Sequence, residues 1–166
     1  NEEAFMLQDL IRNGLGSNDI DSRQAPTIGR GQWVRLDDPA TQARVADIDH
    51  ADVVLVLGTD PIHSAPAFDL RVRKAVRRNG TALAVATERP SALDGGASEV
   101  ERIAPGQSAA YLAGLLDQVK SGSTDGIAGL LKDSSHTVVI WGERIGRGVD
   151  GDRKSTRLNS SHTVIS

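Results

Sequence analysis

Residues 52–61 read Asp-Val-Val-Leu-Val-Leu-Gly-Thr-Asp-Pro, and this stretch decides the fold. Its five consecutive apolar residues are far fewer than the ~20 that a membrane-spanning helix needs. Their high content of β-branched side chains favours a buried strand, predicted over 52–57. Similar short runs lie at 81–87 and 137–141. Continuous apolar runs of this kind are typical of parallel strands that are covered on both faces.

Segments with a helical pattern separate these strands. Residues 66–78 carry a narrow apolar stripe made by Phe68, Val72, Ala75 and Val76, and Asn79-Gly80 is suited to ending that helix. A second helix is predicted to be capped by Ser108, and a third covers 125–131. Because strands and helices alternate, the sequence predicts a doubly wound α/β fold, in which a mostly parallel sheet has flanking helices.

The remaining segments are less regular. We expect a first helix that opens at Asn1 and closes at Gly14 with a positive φ, and another helix from Asp37-Asp38-Pro39 to about His50. Residues 99–103 form a possible edge strand. The Gly- and Arg-rich stretch 14–38 has no regular pattern, which is typical of a functional loop or of one that packs against another part of a protein.

Composition limits both the size and the chemistry of the chain. Its 166 residues suit one domain or one domain with a tail. It has no cysteine, which excludes thiolate metal sites and a cysteine nucleophile in this segment. The net charge of −3 argues against a nucleic-acid-binding protein, which normally has an excess of basic residues.

The two ends of the chain differ in character. A chain that starts at a helix cap looks like an internal fragment. Residues 152–166 are polar and unpatterned, and they resemble a translated adapter or vector sequence. We therefore predict an α/β domain over 1–151, followed by a non-native disordered tail over 152–166.

Three clusters of polar residues are candidates for a function. The turn Gly58-Thr59-Asp60-Pro61 follows the first strand, where open α/β sheets bind ligands, although it is neither a dinucleotide fingerprint nor a P-loop. Five cations lie within 71–78, and they form either a solvated helix face or a surface for an acidic partner. The histidines are too scattered for a metal site. No catalytic constellation is predicted, and no metal ligand.

Several stretches together resemble the molybdopterin oxidoreductase superfamily. Within it, the chain looks most like the family of G subunits of the proton-pumping NADH-quinone oxidoreductases (respiratory complex I). The residues that carry the resemblance are 1–5, 16–21, 47–61, 69–75, 105–108 and 141–144.

The resemblance implies where a molybdopterin guanine dinucleotide would bind in active relatives. In those enzymes a Cys, selenocysteine or Ser that ligates the metal lies in the segment matching 21–27, where this chain offers only Ser22 as a hydroxyl before the proline. A ribose-binding Asp is replaced by Thr87, and a guanine-binding carboxylate is replaced by Ser108. A charged acceptor binds more strongly than a hydroxyl, so both changes weaken nucleotide binding. The vestigial pocket is predicted to comprise Gly58, Thr59, Asp60, Thr87, Gly106 and Ser108.

The resemblance therefore implies a non-redox structural domain of a subunit that carries electrons from NADH towards quinone. No cofactor is expected in this segment, and iron–sulfur clusters are expected in a part of the subunit that precedes it. The expected partners are other peripheral-arm subunits at the cytoplasmic face of the plasma membrane, with neither nucleic-acid binding nor a membrane span. The alternatives are an active molybdopterin enzyme, such as a formate dehydrogenase or a nitrate reductase α-type subunit with Ser22 on molybdenum, and a generic nucleotide-sensing α/β domain.

Overall fold

The computed structural model describes residues 2–20, 42–142 and 145, together with the backbone of 163–165. Its centre is a sheet whose paired strands are all parallel, in the order β3-β2-β1-β4-β5. Strand β1 therefore lies between β2 and β4. The strands are β1 (Val53–Leu57), β2 (Ala82–Thr87), β3 (Glu99–Arg102), β4 (Thr137–Trp141) and β5 (Thr163–Ile165).

Helices connect the strands. They are α1 (Glu2–Asp9), α2 (Pro61–Ser64), α3 (Pro66–Asn79), α4 (Ser108–Ser121) and α5 (Gly126–Asp133). A π-helical turn, Leu10–Gly14, continues α1, and short 3₁₀ helices cover Val45–His50 and Asp94–Gly96. Within the described residues, no helix has both the length and the apolar content needed to cross a membrane.

The sheet has an apolar core on each face. Alternate residues of β1 point to opposite sides, because successive side chains in a strand do so. Val53, Leu55 and Leu57 pack with residues of α4 and α5, such as Leu112 and Ile127. The other two β1 residues pack with α3 and with the 3₁₀ helix that precedes β1. Helices on both faces confirm the predicted doubly wound α/β fold.

Helix α3 has the predicted ends and the predicted buried stripe. Pro66 occupies its first turn, and Gly80 ends it with a φ of 73°. Val72 and Ala75 are fully buried, while Phe68 and Val76 pack against the same core. The Pro ring presets the helical φ at a position where a missing N–H costs nothing, so the local sequence is sufficient to start this helix.

Two predicted helix ends are wrong. Ser108 does not cap α4, since Gln107 occupies the N-cap position and Ser108 is the first helical residue. The N–H of Gln107 donates to the carbonyl of Ala104 (2.9 Å), and this tight turn shifts the helix start. Gly14 does not close the first helix with a positive φ. The N–H of Leu15 reaches back five residues to Leu10 (2.9 Å), and the left-handed glycine is Gly16 (φ 66°).

Two further predictions are met in part. Of the helix predicted from Asp37 to His50, only Val45–His50 is helical, as a 3₁₀ helix, and 37–41 lie outside the described residues. The N–H of Arg44 donates to Asp47 Oδ2 (2.6 Å), which fixes the start of this short helix. Strand β3 lies at one edge of the sheet, so the predicted edge strand is confirmed.

The segment predicted as a disordered tail contains β5. Residues 163–165 pair in parallel with β4, with Val164 opposite Val139, so these three residues differ from the prediction of disorder. Thr-Val-Ile has a high β propensity, and the open edge of β4 supplies unpaired backbone groups. The rest of 152–166 lies outside the described residues. The domain boundary at 151 and the non-native origin of the tail stay predictions.

Candidate functional site

A cavity of about 540 Å³ opens at the carboxyl end of the sheet. It lies where the strand order reverses, because β2 and β4 pair with opposite edges of β1. In open α/β sheets, ligands bind at such a switch point. The residues that line it come from the ends of β1, β2 and β4 and from α2: Gly58, Thr59, Asp60, His63, Ser64, Thr87, Glu88, Arg89, Pro90, Ser91 and Gly142.

Two glycines allow the ends of β1 and β4 to approach each other. Gly58 has a φ of 58°, and a Cβ there would lie 2.6 Å from Cγ1 of the buried Ile145. A Cβ on Gly142 would lie 2.8 Å from Cβ of Thr59. Both glycines are therefore required by contacts within the protein. The turn predicted at Gly58 is confirmed. The contact with Ile145 is enough to explain why this position is a glycine, without any ligand.

Asp60 uses both carboxylate oxygens inside the protein. Oδ1 accepts from the N–H of Ile62 (3.4 Å) at the start of α2. Oδ2 accepts from the N–H of Ala92 (3.1 Å), which belongs to the loop that follows β2. One carboxylate thus links the connection after β1 to the connection after β2. It fixes the shape of the cavity at this point.

The Thr87 hydroxyl is also occupied. Oγ1 donates to the carbonyl of Arg89 (2.7 Å) and accepts from Nη1 of Arg102 on β3 (3.1 Å). The residue is only 5% exposed. A hydroxyl has a single proton to donate, so Thr87 has no donor left for a ligand in this arrangement.

Charged side chains hold residues 88–94, which we call the cavity loop. Arg73 on α3 donates from Nε to Asp69 Oδ2 (2.8 Å) and from Nη2 to the carbonyl of Ala92 (2.7 Å). The hydrogen bond to Asp69 raises the pKa of Arg73. Arg102 pairs with Asp94, whose Oδ2 also accepts from the N–H of Ser91 (3.0 Å). The cavity loop is therefore anchored by α3 from one side and by β3 from the other.

The structure brings together four of the six residues predicted for the pocket. Gly58, Thr59, Asp60 and Thr87 line the cavity, whereas Gly106 and Ser108 are not among its lining residues. Sequence reasoning did not include the cavity loop. The loop directly follows a predicted strand, and the carboxyl ends of parallel strands all meet at one edge of the sheet. That position could have indicated that the loop lines the site. The adjacent residues His63 and Ser64 of α2 also line the cavity.

Three of the five cations in 71–78 form ion pairs inside the domain. Arg71 and Lys74 lie 2.8 and 3.3 Å from Asp49 Oδ2, and Arg73 pairs with Asp69. Arg77 and Arg78 are exposed, and neither has an ion-pair partner among the described residues. The surface interpretation therefore applies to two of the five cations. Both lie in the last turn of α3, where positive charge is also stabilised by the helix dipole.

Ser22 is the one candidate metal ligand that the family resemblance implies, and the histidines are too scattered to form a metal site. Within 2–20, 42–142 and residue 145, no group of three His, Cys, Asp or Glu side chains could hold a metal ion. Ser22 lies outside the described residues.

The comparison with known families decides the relationship. The molybdopterin oxidoreductase family model matches residues 1–161. The chain belongs to the molybdopterin oxidoreductase family. The family resemblance stated from the sequence is thereby confirmed. The match extends past residue 151, where we predicted the domain to end.

Individual known proteins are similar to this chain over different shares of its length. The G subunit of the NADH-quinone oxidoreductase of Mycobacterium bovis is 29% identical over 95% of this chain, which covers 19% of that protein. The probable oxidoreductase YjgC of Bacillus subtilis is 31% identical over 52% of the chain, which is 9% of its own length. The NADPH-Fe(3+) oxidoreductase subunit alpha of Geobacter sulfurreducens is 29% identical over 72% of the chain and 14% of its length. The chain therefore spans less than a fifth of each of these relatives.

Proposed function

We propose that this chain is part of the G subunit of an NADH-quinone oxidoreductase and forms a non-redox structural domain of it. The similarity to the mycobacterial G subunit supports this, because it extends over 95% of the chain. The similarities to YjgC and to the NADPH-Fe(3+) oxidoreductase subunit extend over smaller shares.

The observation that carries the structural role is the bonding of Asp60 and Thr87. Both side chains line the cavity, and both direct their oxygens to groups of the protein. The Thr87 hydroxyl could donate to a nucleotide only by giving up its bond to the carbonyl of Arg89, and leaving such a group unpaired costs about 1–3 kcal/mol. Asp60 keeps lone pairs that could accept, but its position is fixed by the two backbone N–H groups that it holds.

The family implies a molybdopterin guanine dinucleotide, and two positions of this chain bear on whether it would fit. Ser108, which stands where relatives bind guanine, is not among the residues that line the cavity. Thr87 stands where the resemblance places an Asp that accepts from a ribose hydroxyl, but Thr87 is only 5% exposed and its oxygen already accepts from Arg102. The polar groups at these two positions do not fit the dinucleotide. The domain is therefore proposed to act without it.

The wider function follows from the proposed subunit. Iron–sulfur clusters in another part of the polypeptide would carry electrons from NADH towards quinone. This domain would pack against other peripheral-arm subunits at the cytoplasmic face of the plasma membrane. Arg77 and Arg78 are the cations of α3 best placed for such a contact, since the other three are paired within the domain.

Metal and nucleotide analysis tests the proposal. The complete polypeptide that contains this chain is purified natively from cells that have an active molybdopterin pathway. Molybdenum is measured by mass spectrometry, and guanine nucleotides are measured by chromatography after acid release. We expect iron in stoichiometric amount, with neither molybdenum nor guanine nucleotide above background. Stoichiometric molybdenum together with guanine nucleotide would contradict a non-redox role for this domain.

The cavity itself favours a second candidate, an active molybdopterin-dependent oxidoreductase such as a formate dehydrogenase or a nitrate reductase α-type subunit. The cavity lies at the switch point of the sheet, and the side chains of His63, Ser64 and Glu88, which line it, form no hydrogen bond with the described residues. Formate- or nitrate-dependent reduction or oxidation of a dye by the complete polypeptide, lost on Ser22→Ala, would favour this candidate over the first.

A further inference from the structure

The strands near the two sides of the sheet differ in composition. Strand β3 ends the sheet on one side and reads Glu-Val-Glu-Arg, so charged residues alternate with its one apolar residue. Towards the other side, β4 reads Thr-Val-Val-Ile-Trp and carries no charge, no proline and no glycine. Proteins use charged side chains, prolines and very short strands to keep the edges of their sheets from pairing with other chains. Strand β3 has such protection, whereas β4 has none in its own sequence.

Backbone pairing covers β4 instead. One edge of β4 pairs with β1 along its full length, from Thr137 to Trp141. The other edge pairs in parallel with β5, from Val138 to Ile140. A strand edge without a partner presents unpaired N–H and C=O groups to any extended chain that reaches it. In the part of the chain that the structure describes, β5 is therefore the strand that closes this edge.

We propose that β5 is an edge guard, which keeps β4 of one molecule from pairing with β4 of a second copy of this chain. The outer edge of β4 is then a surface with two competing partners. Strand β5 belongs to the same molecule, so its pairing does not depend on protein concentration and immobilises no second molecule. A second β4 becomes the partner when β5 is lost.

The composition of β4 fits a second copy. Two identical strands that meet edge to edge across a two-fold axis run antiparallel and use the same residues of each molecule. Antiparallel strands pair slightly more strongly per residue than parallel strands. Because β4 has no charged residue, no charge would lose its water in this contact, and no like charges would face each other.

The inference is independent of the proposed function. It rests on backbone pairing at one edge of the sheet, and neither the non-redox role nor the origin of residues 152–166 enters it. Molybdenum found in the complete polypeptide would contradict the non-redox role and leave the edge guard unaffected.

Two prolines in β5 test the proposal. Neighbouring residues of a strand direct their N–H groups to opposite edges, so Thr163→Pro together with Val164→Pro removes whichever of the two faces β4. Sedimentation velocity gives the mass of the complete 166-residue chain over about a hundredfold range of concentration. We expect the native chain to stay at 17.6 kDa and the double variant to approach twice that mass as the concentration rises. A double variant that stays monomeric would overturn the proposal.

A matched control and a second variant separate edge pairing from general damage. Ser155→Pro together with Thr156→Pro places two prolines in the tail before β5, and we expect this control to stay monomeric. Ending the chain at Ser161 removes β5 without introducing proline, and its mass should double as that of the double variant does. Dimerisation of the control, or of the native chain at the same concentrations, would show that β5 does not guard the edge.

Amide hydrogen exchange locates the contact between the two copies. In the dimer of the double variant, the amides of 138–140 that face away from β1 should exchange about tenfold or more slowly than in the same variant diluted to the monomer. The amides of β1 are the internal control, because this strand is paired on both sides, with β2 and β4, in either form. Equal exchange of the β4 amides in monomer and dimer would place the contact elsewhere and overturn the proposal.

Discussion

Removing the Arg73 side chain should destabilise the domain far more than removing its neighbour Arg77. Arg73 pairs with Asp69, whose side chain is 5% exposed, and also holds the carbonyl of Ala92. The second oxygen of Asp69 is buried and has no hydrogen-bond partner among the described residues. In Arg73→Ala, the remaining carboxylate would be left in the protein without any cation.

The magnitude follows from the exposure of the two partners. Breaking a fully buried ion pair costs about 3–5 kcal/mol, while exposed pairs contribute about 0–1 kcal/mol. The Arg73 side chain is 36% exposed, so water partly replaces it, and we expect a loss of about 2 kcal/mol in the free energy of unfolding. With a urea m-value of about 2 kcal/mol per M, the unfolding midpoint should fall by about 1 M.

Urea denaturation of the 166-residue chain, followed by circular dichroism, measures this change. Arg77→Ala is the matched control, since it removes the same side chain from the same helix at an exposed position, and it should cost about 0.5 kcal/mol or less. In an Asp69→Asn background, Arg73→Ala should cost about 1 kcal/mol or less, because no buried charge remains. Equal midpoints for the Arg73 and Arg77 variants would refute the reasoning.

Three further predictions concern the sheet and its loops. Gly58→Ala should lower the free energy of unfolding, measured by urea denaturation, by about 2–4 kcal/mol. The new Cβ would clash with the Ile145 side chain, and the backbone there has a left-handed conformation that alanine disfavours. Gly95→Ala is the control, because a Cβ there meets open space, and it should change stability little. Asp52 accepts hydrogen bonds from the backbone N–H groups of His136 and Ser135, and these hold its pKa below the ordinary 3.8. The stability that Asp52 contributes is therefore present above pH 3.8 and is lost as the pH falls through the lowered pKa. The difference in unfolding free energy between the native chain and Asp52→Asn should shrink from about pH 7 to about pH 3. Burial raises the pKa of Tyr111 above 10.0, and the nearby carboxylate of Glu101 raises it further. Tyr111 is the single tyrosine of the chain, so ultraviolet titration reports on it alone. We expect no phenolate in the folded chain until it unfolds at alkaline pH.

Each of these has a contradicting result. Equal losses for Gly58→Ala and Gly95→Ala would contradict both the contact with Ile145 and the cost of the left-handed conformation at Gly58. A pH-independent difference for Asp52→Asn would mean that the carboxylate does not favour its charged form in the folded chain. Titration of the folded chain near pH 10 would place Tyr111 in contact with water.

The cavity shows how far the sequence could lead. Gly58 was placed at the site because it follows a strand, and strand positions depend on local apolar runs. Thr87 was placed there by the family resemblance, and the structure does bring it to the cavity. Ser108 was placed there by resemblance alone, and the structure does not bring it to the cavity. The cavity loop was missed because its residues carry no pattern of their own. Its shape depends on anchors outside the loop, among them Arg73, Arg102 and Asp60.

The sequence by itself determined the alternation of strands and helices, because apolar periodicity, Pro66 and Gly80 act over a few residues. The tertiary structure decided which polar groups remain available in the cavity. Asp60 meets the N–H of Ala92 across 32 residues of chain, and Thr87 meets Arg102 across 15. Such contacts form only after parallel strands have aligned their ends at one edge of the sheet. A carboxylate that looks free to bind a ligand in the sequence is therefore already bound in the fold.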